Sequence, residues 1–523
     1  MHDLRRTGKT GLEAGRSFDA VPPRADSGRV IVLANRQPFS HEHRPDGQIV
    51  VKRSTSGLVT ASEPLVRQTA GVWVAHGAGS ADRAVVDAWD GVMVPPDDPA
   101  YRLRRVWLTE AEEDGYYYGF ANEGLWPLCH RAHVRPVFRS SDFDTYWTIN
   151  TRFADAACDE AQHETPIVLV QDYHFALAPL MIRHRLAAGA IVAFWHIPWP
   201  NRERLQMCPW ASYLVEGMLG SDLVGFQTQE DGLHFLDGAE HVLGASVDRQ
   251  RMTVTYVGRT THVRAYAASV AFPPSCLSRI GDVERCTRDV HARFGLRASD
   301  RLVVGIDRMD YTKGLEEKLL AIEYLLEQHP QLVDSFVYVQ IAQPSRQRLA
   351  PYRELRERVA ALAERVNRRF STYDWVPVRL VEERIEPPDV YRLLRAADVC
   401  YVGSLHDGMN LVAKEFISAR DDERGVLVLS GFAGAASELC GAVTINPYDI
   451  EQTAHAIAGA LTMKPEDQQH RMRRMRASVA AWDADRWGAA LLHDASTLCG
   501  GGYRGRATEL LSEATTVATR SIA

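Results

Sequence analysis

Short apolar runs alternate with helical stretches along this chain, and this alternation restricts the fold more than any other feature of the sequence. In the first half, residues 30–34, 72–75, 167–170 and 191–195 are strand candidates, and residues 176–186 have the character of a helix. Apolar runs of this length between helices indicate parallel strands that are covered on both faces. The first half therefore predicts βαβ units in a doubly wound α/β domain.

The same alternation restarts after Phe272, and Pro273 with Pro274 marks a linker between the two halves. A chain of 523 residues is too long for one ordinary domain, which agrees with a division at this point. Two doubly wound domains would face each other across a cleft, because ligands bind where the carboxyl ends of parallel strands meet. The strand candidates of the second half are Val303 and residues 336–341, 376–381, 399–402, 426–429 and 443–445.

The domain organisation follows from these patterns. We expect an N-terminal domain over residues 28–272, a C-terminal domain over residues 275–482, and a helix over residues 483–498 that packs back on the N-terminal domain. Residues 1–27, rich in Arg, Gly, Asp and Pro, are expected to form a flexible leader. Residues 499–523, with three glycines near their start, are expected to form a flexible tail.

The composition is that of a globular protein, with 46% hydrophobic and 24% charged residues, and it excludes a disordered chain. The net charge of −7 disfavours nucleic acid or an anionic membrane as partner, so any anion site must be locally basic. We find no secretory signal and no run of membrane-spanning length. The cysteines form no C-x-x-C pair, and Cys158, Cys400 and Cys440 are predicted to be buried free thiols. A reducing, cytoplasmic location is expected.

The segment LHDGMNLVAKE, residues 405–415, sets an acid, an amide and a second acid around the start of a helix. Asp407 falls on the turn between a predicted buried strand and this helix. The first-turn N–H groups near Asn410 and Leu411 lack intrahelical partners, so they can receive a phosphate. Glu415, one turn further on, can accept hydrogen bonds from a diol such as ribose. The alternative is an aspartate N-cap followed by an ordinary core helix with a solvated glutamate.

A second segment, RLVVGIDRMDYTKG at residues 301–314, places two cations after a predicted strand. Arg308 offers a planar fork and Lys313 a mobile point charge, and together they can neutralise a leaving diphosphate without a metal. The alternative is a pair of rim charges matched by Asp307 and Asp310. A metal site at the D-x-x-D lacks further ligands at a suitable spacing, so no metal is predicted.

Together these segments resemble glycosyltransferase family 20, the family of the trehalose-6-phosphate synthases. The resemblance runs from about residue 30 to about residue 498, nearly the whole chain. The other matching blocks are NRQPF (35–39), STSGL (54–58), YYYGFANEGLWP (116–127), DYH (172–174), FWHIPWP (194–200), QIAQPSR (340–346), LVLSGFAGAASEL (427–439) and NPYD (446–449).

The resemblance implies the GT-B fold, in which two Rossmann-like domains face across a cleft, the C-terminal one holding the nucleotide and the N-terminal one the acceptor. The implied catalytic residues, which surround the reacting sugar, are Asp172, His196, Arg308, Lys313 and Asp407. The implied donor-binding residues, which hold the diphosphate, ribose and sugar, are Gly57, Arg308, Lys313, Asn410, Leu411, Val412 and Glu415. The implied acceptor-binding residues are Arg36, His76, Tyr117, Trp126, Asp172 and Arg346.

The implied reaction is transfer of glucose, with retention, from UDP-, GDP- or ADP-glucose to glucose 6-phosphate. No cofactor is expected, and a homo-oligomer is compatible with the resemblance. A separate phosphatase is expected downstream, because the nearest D-x-D, at residues 483–485, is predicted helical and lacks the following Thr. Two alternatives stay open. One is a sister transferase, such as a glucosylglycerol-phosphate synthase or a cyclitol pseudo-glycosyltransferase, and the other is a non-catalytic sugar-phosphate-binding protein.

Four positions depart from the family pattern. Ser56 stands where a glycine is usual, His76 where a tryptophan lines the acceptor pocket, Gln171 in place of a histidine, and His406 in place of an arginine. The segment AASVAF, residues 267–272, also replaces the usual linker sequence. These changes bear on the identity of the acceptor more than on the class of reaction.

Overall fold

Two mainly parallel β-sheets, one from each half of the chain, form the framework of the protein. The computed structural model describes residues 29–54, 57–161, 165–186 and 188–498. Within these residues the first half forms a ten-stranded sheet and a two-stranded hairpin, and the second half forms a six-stranded sheet. The predicted leader and tail, and Ser56, lie outside the described residues. The two doubly wound domains expected from the alternation are confirmed.

The strands of the first half include every predicted run, with shifts of one residue at their ends. They are β1 (Val30–Leu33), β2 (Phe39–His43), β3 (Ile49–Arg53), β4 (Val72–His76), β5 (Gly91–Val94), β6 (Tyr101–Val106), β7 (Ile167–Gln171), β8 (Ala190–Trp195), β9 (Leu223–Phe226), β10 (Ser246–Asp248), β11 (Thr253–Tyr256) and β12 (Arg259–Ala265).

The large sheet has the order β10-β11-β12-β9-β8-β7-β1-β4-β6-β5. It is parallel from β12 to β6 and antiparallel at both edges. The central strands β1, β7 and β8 are buried at every position, as continuous apolar runs require. The edge strands and the hairpin β2–β3 were not predicted, because they are partly exposed and lack the long buried apolar run of the central strands.

The second sheet is entirely parallel, with the order β15-β14-β13-β16-β17-β18. Chain order reverses between β13 and β16, and the crevice above such a switch point is the usual ligand site of a doubly wound sheet. The two predicted donor segments follow these two adjacent strands. The strands are β13 (Arg301–Arg308), β14 (Phe336–Gln343), β15 (Val378–Val381), β16 (Val399–Val402), β17 (Val426–Ser430) and β18 (Val443–Ile445).

Helices cover both sheets. The predicted helix at residues 176–186 is shorter than expected, because only Ala178–Arg183 are α-helical. The α-helices are α1 (Gly57–Gln68), α2 (Glu110–Glu113), α3 (Trp126–Cys129), α4 (Ser140–Glu160), α5 (Ala178–Arg183), α6 (Arg202–Leu205), α7 (Ala211–Met218), α8 (Gln229–Leu243), α9 (Leu277–Ile280), α10 (Val283–Phe294), α11 (Leu315–Gln328), α12 (Ala350–Phe370), α13 (Pro387–Ala396), α14 (Leu411–Ala419), α15 (Ile450–Leu461), α16 (Pro465–Ala481) and α17 (Ala484–Leu498). A π-helical segment covers Asp114–Leu125, and 3-10 turns cover Asp82–Ala84, Tyr173–Phe175, Tyr311–Lys313, Pro330–Leu332 and Gly434–Ser437.

Helix α17 packs on the first sheet, although it follows the second one in the chain. The Trp487 indole is fully buried, and its Nε1 donates to the backbone oxygen of Tyr266 at 3.2 Å. A Cβ at Gly488 would lie 2.3 Å from the Leu65 side chain, so α17 and α1 touch closely. These contacts agree with the expected return of this helix, while the domain boundaries themselves stay a prediction.

The seven cysteines of the described chain are free thiols. Cys400 is buried and Cys158 half-buried, but the prediction that Cys440 is buried was wrong. Its apolar neighbour Leu439 points into the core instead, leaving Cys440 at the surface. Among the described helices, none has the length and apolar character needed to span a membrane.

Candidate active site

A buried ion pair joins the two segments that follow β13 and β16. Lys313 Nζ donates to Asp407 Oδ2 at 2.6 Å, and the same oxygen accepts from Asn410 Nδ2 at 3.0 Å and from Ser404 Oγ at 3.2 Å. Burial opposes ionisation of Asp407, but Lys313 and these hydrogen bonds outweigh it and lower its pKa to about 2. Asp407 is therefore a fixed anion at neutral pH.

The turn between β16 and α14 presses against the N-terminal half of the chain. A Cβ at Gly408 would lie 2.2 Å from the backbone oxygen of His196, so only glycine fits there. Asn410 is the N-cap of α14, with a left-handed φ of 78°, and its side chain accepts from the N–H three residues on. The first-turn amides of Leu411 and Val412 therefore face the cleft end of the helix, without intrahelical acceptors.

Glu415 lies one turn into α14 and is half-buried. Its carboxylate makes no hydrogen bond or ion pair within residues 29–54, 57–161, 165–186 and 188–498. Burial alone raises its pKa to about 7. A carboxylate that loses water without gaining a partner is destabilised, and a bound hydroxyl donor would relieve that cost.

Trp126, at the start of α3, contacts two guanidinium groups of the second half. The Arg308 guanidinium lies 5.1 Å from its ring centroid and that of Arg346 lies 4.1 Å from it. Arg308 Nη2 is also 3.7 Å from Asp310 Oδ2. Predicted donor and acceptor residues from both sheets thus share one cleft.

Arg346 is held by a network that fixes the plane of its guanidinium. Its Nη1 donates to Asp310 Oδ2 at 3.0 Å and to the Tyr352 hydroxyl at 2.6 Å, and its Nη2 donates to the Tyr173 hydroxyl at 3.1 Å. Its Nε and the Trp126 Nε1 are buried, and neither has a partner in the described chain. Two unused donors at one place favour a ligand rich in acceptors.

The pKa of Tyr117 reflects the positive charges around this pocket. Burial would raise its pKa, but Arg346 and Arg36 outweigh burial and lower it. The Tyr117 ring stacks on His174, with centroids 5.7 Å apart and planes 8° apart. The pKa of His174 is lowered well below its usual value by burial and by the same two arginines. The pocket therefore suits an anion.

His76 and Gly57 lie at the margins of this arrangement. His76 ends β4 close to Asp82, and burial lowers its pKa while Asp82 raises it. In the described residues, no hydrogen bond or ring contact connects His76 with the other predicted acceptor residues. Gly57 begins α1, and a Cβ there would lie 2.7 Å from a methyl group of Leu411.

Asp172 follows β7 and lies at the bottom of the cleft. Its φ of 71° is rare for a residue with a side chain, and such strain often occurs at functional sites. Its Oδ1 accepts from the backbone N–H of His196 at 3.1 Å. Burial raises its pKa to about 6, although the N–H groups of Tyr173 and His196 act in the opposite direction. Asp172 can therefore exchange a proton near neutral pH.

His196 follows β8 and is neutral, because burial lowers its pKa to about 3. Its Nε2 contacts Gln171 Oε1, and its Nδ1 lies 3.3 Å from Gln227 Nε2. Gln171, one of the departures from the family pattern, thus contacts the predicted sugar-binding histidine directly.

Several residues of the site were missed at the sequence level. The side chains that orient Arg346 are Asp310, Tyr173 and Tyr352. Asp310 and Tyr173 lie inside matching sequence blocks in which only neighbouring residues were assigned to ligand binding. Gln227 and Lys414 contact the chain between the sheets, and no local pattern distinguishes them from ordinary polar residues.

Comparison with known proteins agrees with this geometry. The sequence model of glycosyltransferase family 20 matches residues 28–497. The trehalose-6-phosphate synthase of Mycobacterium avium (strain 104) is 37% identical over 470 residues, covering 88% of this chain and 94% of that protein. The trehalose-6-phosphate synthase of Mycobacterium leprae (strain TN) is 36% identical, covering 88% and 93%.

Solved structures of similar proteins have the same fold. An α,α-trehalose-phosphate synthase (UDP-forming) from Burkholderia xenovorans, in complex with glucose-6-phosphate, has a TM-score of 0.79 and 32% identity, covering 90% of this chain and 100% of that one. The E. coli protein bound with UDP-2-fluoro glucose has a TM-score of 0.79 and 28% identity, covering 90% and 99%.

Two Rossmann-like domains with the fold of the solved trehalose-phosphate synthases define a glycosyltransferase of the GT-B fold, as the resemblance implied. The agreement of sequence and structure over nearly the whole chain is specific to one family. The chain belongs to glycosyltransferase family 20.

Proposed function

We propose that this enzyme transfers glucose from UDP-glucose to glucose 6-phosphate, giving trehalose 6-phosphate with retention at the donor carbon. The observation that carries the proposal is that the Arg308 and Arg346 guanidiniums both lie over the Trp126 ring and both lie within 4 Å of Asp310 Oδ2, at 3.7 Å and 3.0 Å. A cation suited to a donor diphosphate and a cation suited to an acceptor phosphate are thereby kept a few ångströms apart. The relatives whose names specify these substrates support the same assignment.

The acceptor phosphate would bind in the pocket of Arg36, Tyr117 and Arg346. A dianion there would use the unpartnered Nε of Arg346 and the positive potential that lowers the pKa of Tyr117. Trp126 would cover the sugar ring, and His76 would lie at the margin of the pocket. This set of residues favours glucose 6-phosphate over glycerol 3-phosphate, because a ring offers Trp126 a surface to contact.

The donor would bind along the turn after β16. Its diphosphate would contact Arg308, Lys313 and the first-turn amides of Leu411 and Val412. The ribose diol would donate to Glu415, whose carboxylate lacks another partner in the described chain. Of the remaining two donor-binding residues, Gly57 would lie beside Leu411 at the phosphates and Asn410 would cap the helix.

The chemistry would depend on electrostatics rather than on a covalent intermediate. Negative charge grows on the diphosphate as the glycosidic bond breaks, and Arg308 and Lys313 would stabilise it without a metal. Asp407, fixed as an anion by Lys313, would accept hydrogen bonds from glucose hydroxyls. Asp172 would contact the acceptor and His196 a glucose hydroxyl. The leaving phosphate would take the acceptor proton on the face from which it departs.

Product analysis tests the proposal. We would incubate the protein with UDP-, GDP- or ADP-glucose and either glucose 6-phosphate or glycerol 3-phosphate, then identify the products by NMR. We expect α,α-trehalose 6-phosphate from UDP-glucose and glucose 6-phosphate, with no trehalose until a separate phosphatase is added. Glucosylglycerol phosphate as the main product would favour a sister transferase. Substrate binding without any glucosyl product would favour a non-catalytic protein.

We also propose that the reaction takes place in the cytoplasm. The free thiols of the described chain suit a reducing compartment. Labelling of the exposed Cys440 with a reagent that does not cross membranes, in intact and in lysed cells, checks this. Protection that ends only on lysis is the expected result.

A further inference from the structure

Gln227, which follows β9, has its side-chain orientation fixed by the backbone between the two sheets. Its Oε1 accepts from the backbone N–H of Ala268 at 2.8 Å. A backbone N–H can only donate, so the amide oxygen must face Ala268 and the amide nitrogen must face His196. This nitrogen lies 3.3 Å from His196 Nδ1.

This orientation also determines the tautomer of His196. An amide nitrogen carries only hydrogens, so Nδ1 must accept and the single ring proton must reside on Nε2. The Nε2 proton then points to Gln171 Oε1. The remaining amide nitrogen of Gln171 is buried and has no partner in the described chain. The two glutamines therefore hold a neutral histidine with its donor on the Gln171 side.

The C-terminal half holds the same linker residue from the other side. Lys414 Nζ donates to the backbone oxygen of Ala268 at 2.8 Å and pairs with Glu438 at 2.7 Å. Lys414 is 1% exposed and lies on α14, next to Glu415. The N–H of Ala268 thus orients a residue of the first sheet, while its carbonyl is fixed by the helix of the donor site.

We propose that Gln227 is a positioning residue that keeps the proton of His196 on Nε2, where a donor-sugar hydroxyl accepts it, and that Lys414 holds Ala268 in place for this purpose. The inference rests on the proposed function for the identity of the sugar, but the tautomer itself does not depend on it. The hydroxyl competes with Gln171 Oε1 for the Nε2 proton.

Nitrogen NMR of the protein labelled with 15N-histidine tests the tautomer without turnover. His196 is assigned by comparison with His196→Asn, and its two ring nitrogens differ strongly in shift and in coupling to the ring protons. We expect the wild-type protein to carry the proton on Nε2. A proton on Nδ1 in the wild type overturns the proposal, whatever reaction the enzyme catalyses.

Gln227→Glu is the sharpest variant, because a carboxylate still accepts from Ala268 while offering His196 only an acceptor. We expect the ring proton to move to Nδ1 and kcat to fall at least about tenfold, the scale of one lost hydrogen bond. Affinity for UDP alone should change less than about twofold, because the nucleotide is held by the other half. A neutral ring whose single proton stays on Nε2 contradicts the proposal.

Two further variants separate positioning from general damage. Gln206→Glu makes the same change beside the exposed His241 on the surface of the same half, and its kcat should match the wild type. Lys414→Met should lower kcat while leaving Gln206 and its surroundings unchanged, and the His196 resonances should show both tautomers. A single Nε2 tautomer with normal kcat in Lys414→Met would remove Lys414 from the proposal.

Discussion

At the scale of single residues, the site contains charged side chains with which a substrate can pair. Lys313 is neutralised by Asp407, Arg308 has only a distant carboxylate at 3.7 Å, and Glu415 has no partner in the described chain. A half-buried carboxylate without a partner, such as that of Glu415, is costly to keep. This cost is offset when a ribose diol binds, which links the affinity for the donor to the stability of the empty enzyme.

Removal of either cation should slow the transfer. We expect Arg308→Ala and Lys313→Ala each to lower kcat at least about a hundredfold, because each loses a group that stabilises the leaving diphosphate. Steady-state kinetics measures this. Arg358→Ala is the matched control and should retain normal rates, because it removes an exposed arginine of α12 that pairs with Glu316 of α11.

Lys313→Ala should also destabilise the fold, by about 3 kcal/mol, because it leaves Asp407 buried without its partner. The double variant Lys313→Ala/Asp407→Asn should regain much of this stability but none of the rate. Recovery of the rate in the double variant would contradict the role of Lys313.

Glu415 should make the empty enzyme less stable at higher pH. Its folded pKa, about 7, lies above the unfolded value, so the folded state binds the proton more tightly and stability falls as pH rises from about 4.5 to about 7. We expect Glu415→Gln to unfold at a higher temperature than wild type at pH 8 and at the same temperature at pH 4.5. Thermal unfolding without nucleotide measures this.

The same variant should bind UDP more weakly, by about tenfold, because the ribose loses its acceptor. A UDP analogue without the two ribose hydroxyls should bind to the wild type and to Glu415→Gln with the same affinity. Equal thermal stability at both pH values, or unchanged affinity for UDP, would count against this account.

At the scale of elements, the site residues lie on the turns at strand ends, whereas the buried strands form the core of the fold. The fully buried strands were predictable, because an apolar run has few other uses. The donor segments were predictable for a second reason, since polar residues after a buried strand indicate a ligand site in this architecture. The antiparallel edge strands, β5 and β10–β12, were not predictable, because their sequence patterns depend on which face the rest of the fold covers.

Contacts between the halves were also beyond sequence reasoning. Gln227 and Lys414 meet at Ala268, and Arg346 meets Tyr173, only after both domains have folded and docked. Such pairs have no fixed spacing in the chain. The interpretation of Cys440 failed for a related reason, because a local apolar context does not tell which side chain turns inward.

The turn between β16 and α14 should tolerate no side chain at Gly408. In Gly408→Ala the new methyl group would meet the backbone oxygen of His196 at 2.2 Å, so the two halves must move apart. We expect kcat to fall at least about tenfold with a loss of about 1–3 kcal/mol in stability. Gly459→Ala, in helix α15 with nothing within 4 Å of the new methyl, should retain its activity and gain up to about 1 kcal/mol. A fully active Gly408→Ala would show that the halves need not touch here.

At the scale of the whole molecule, the chain crosses between its two halves twice, once through the linker around Ala268 and once through α17. Lys414 fixes the first crossing and the buried indole of Trp487 fixes the second. Both crossings lie on the same side of the sheet, since Trp487 Nε1 donates to Tyr266, two residues before Ala268. One compact region thus joins the donor half to the half that carries His196.

Trp487→Ala tests this dependence. Removing a fully buried indole should cost about 3–5 kcal/mol, and the loss should fall on the N-terminal half, which α17 covers. Calorimetry should show the transition of that half at a lower temperature, while the transition that UDP stabilises stays in place. Trp89→Ala, which removes an indole that is 75% exposed, is the matched control and should leave both transitions unchanged. If Trp487→Ala lowers only the transition that responds to UDP, α17 belongs to the donor half, and the expected return of this helix to the first sheet is wrong.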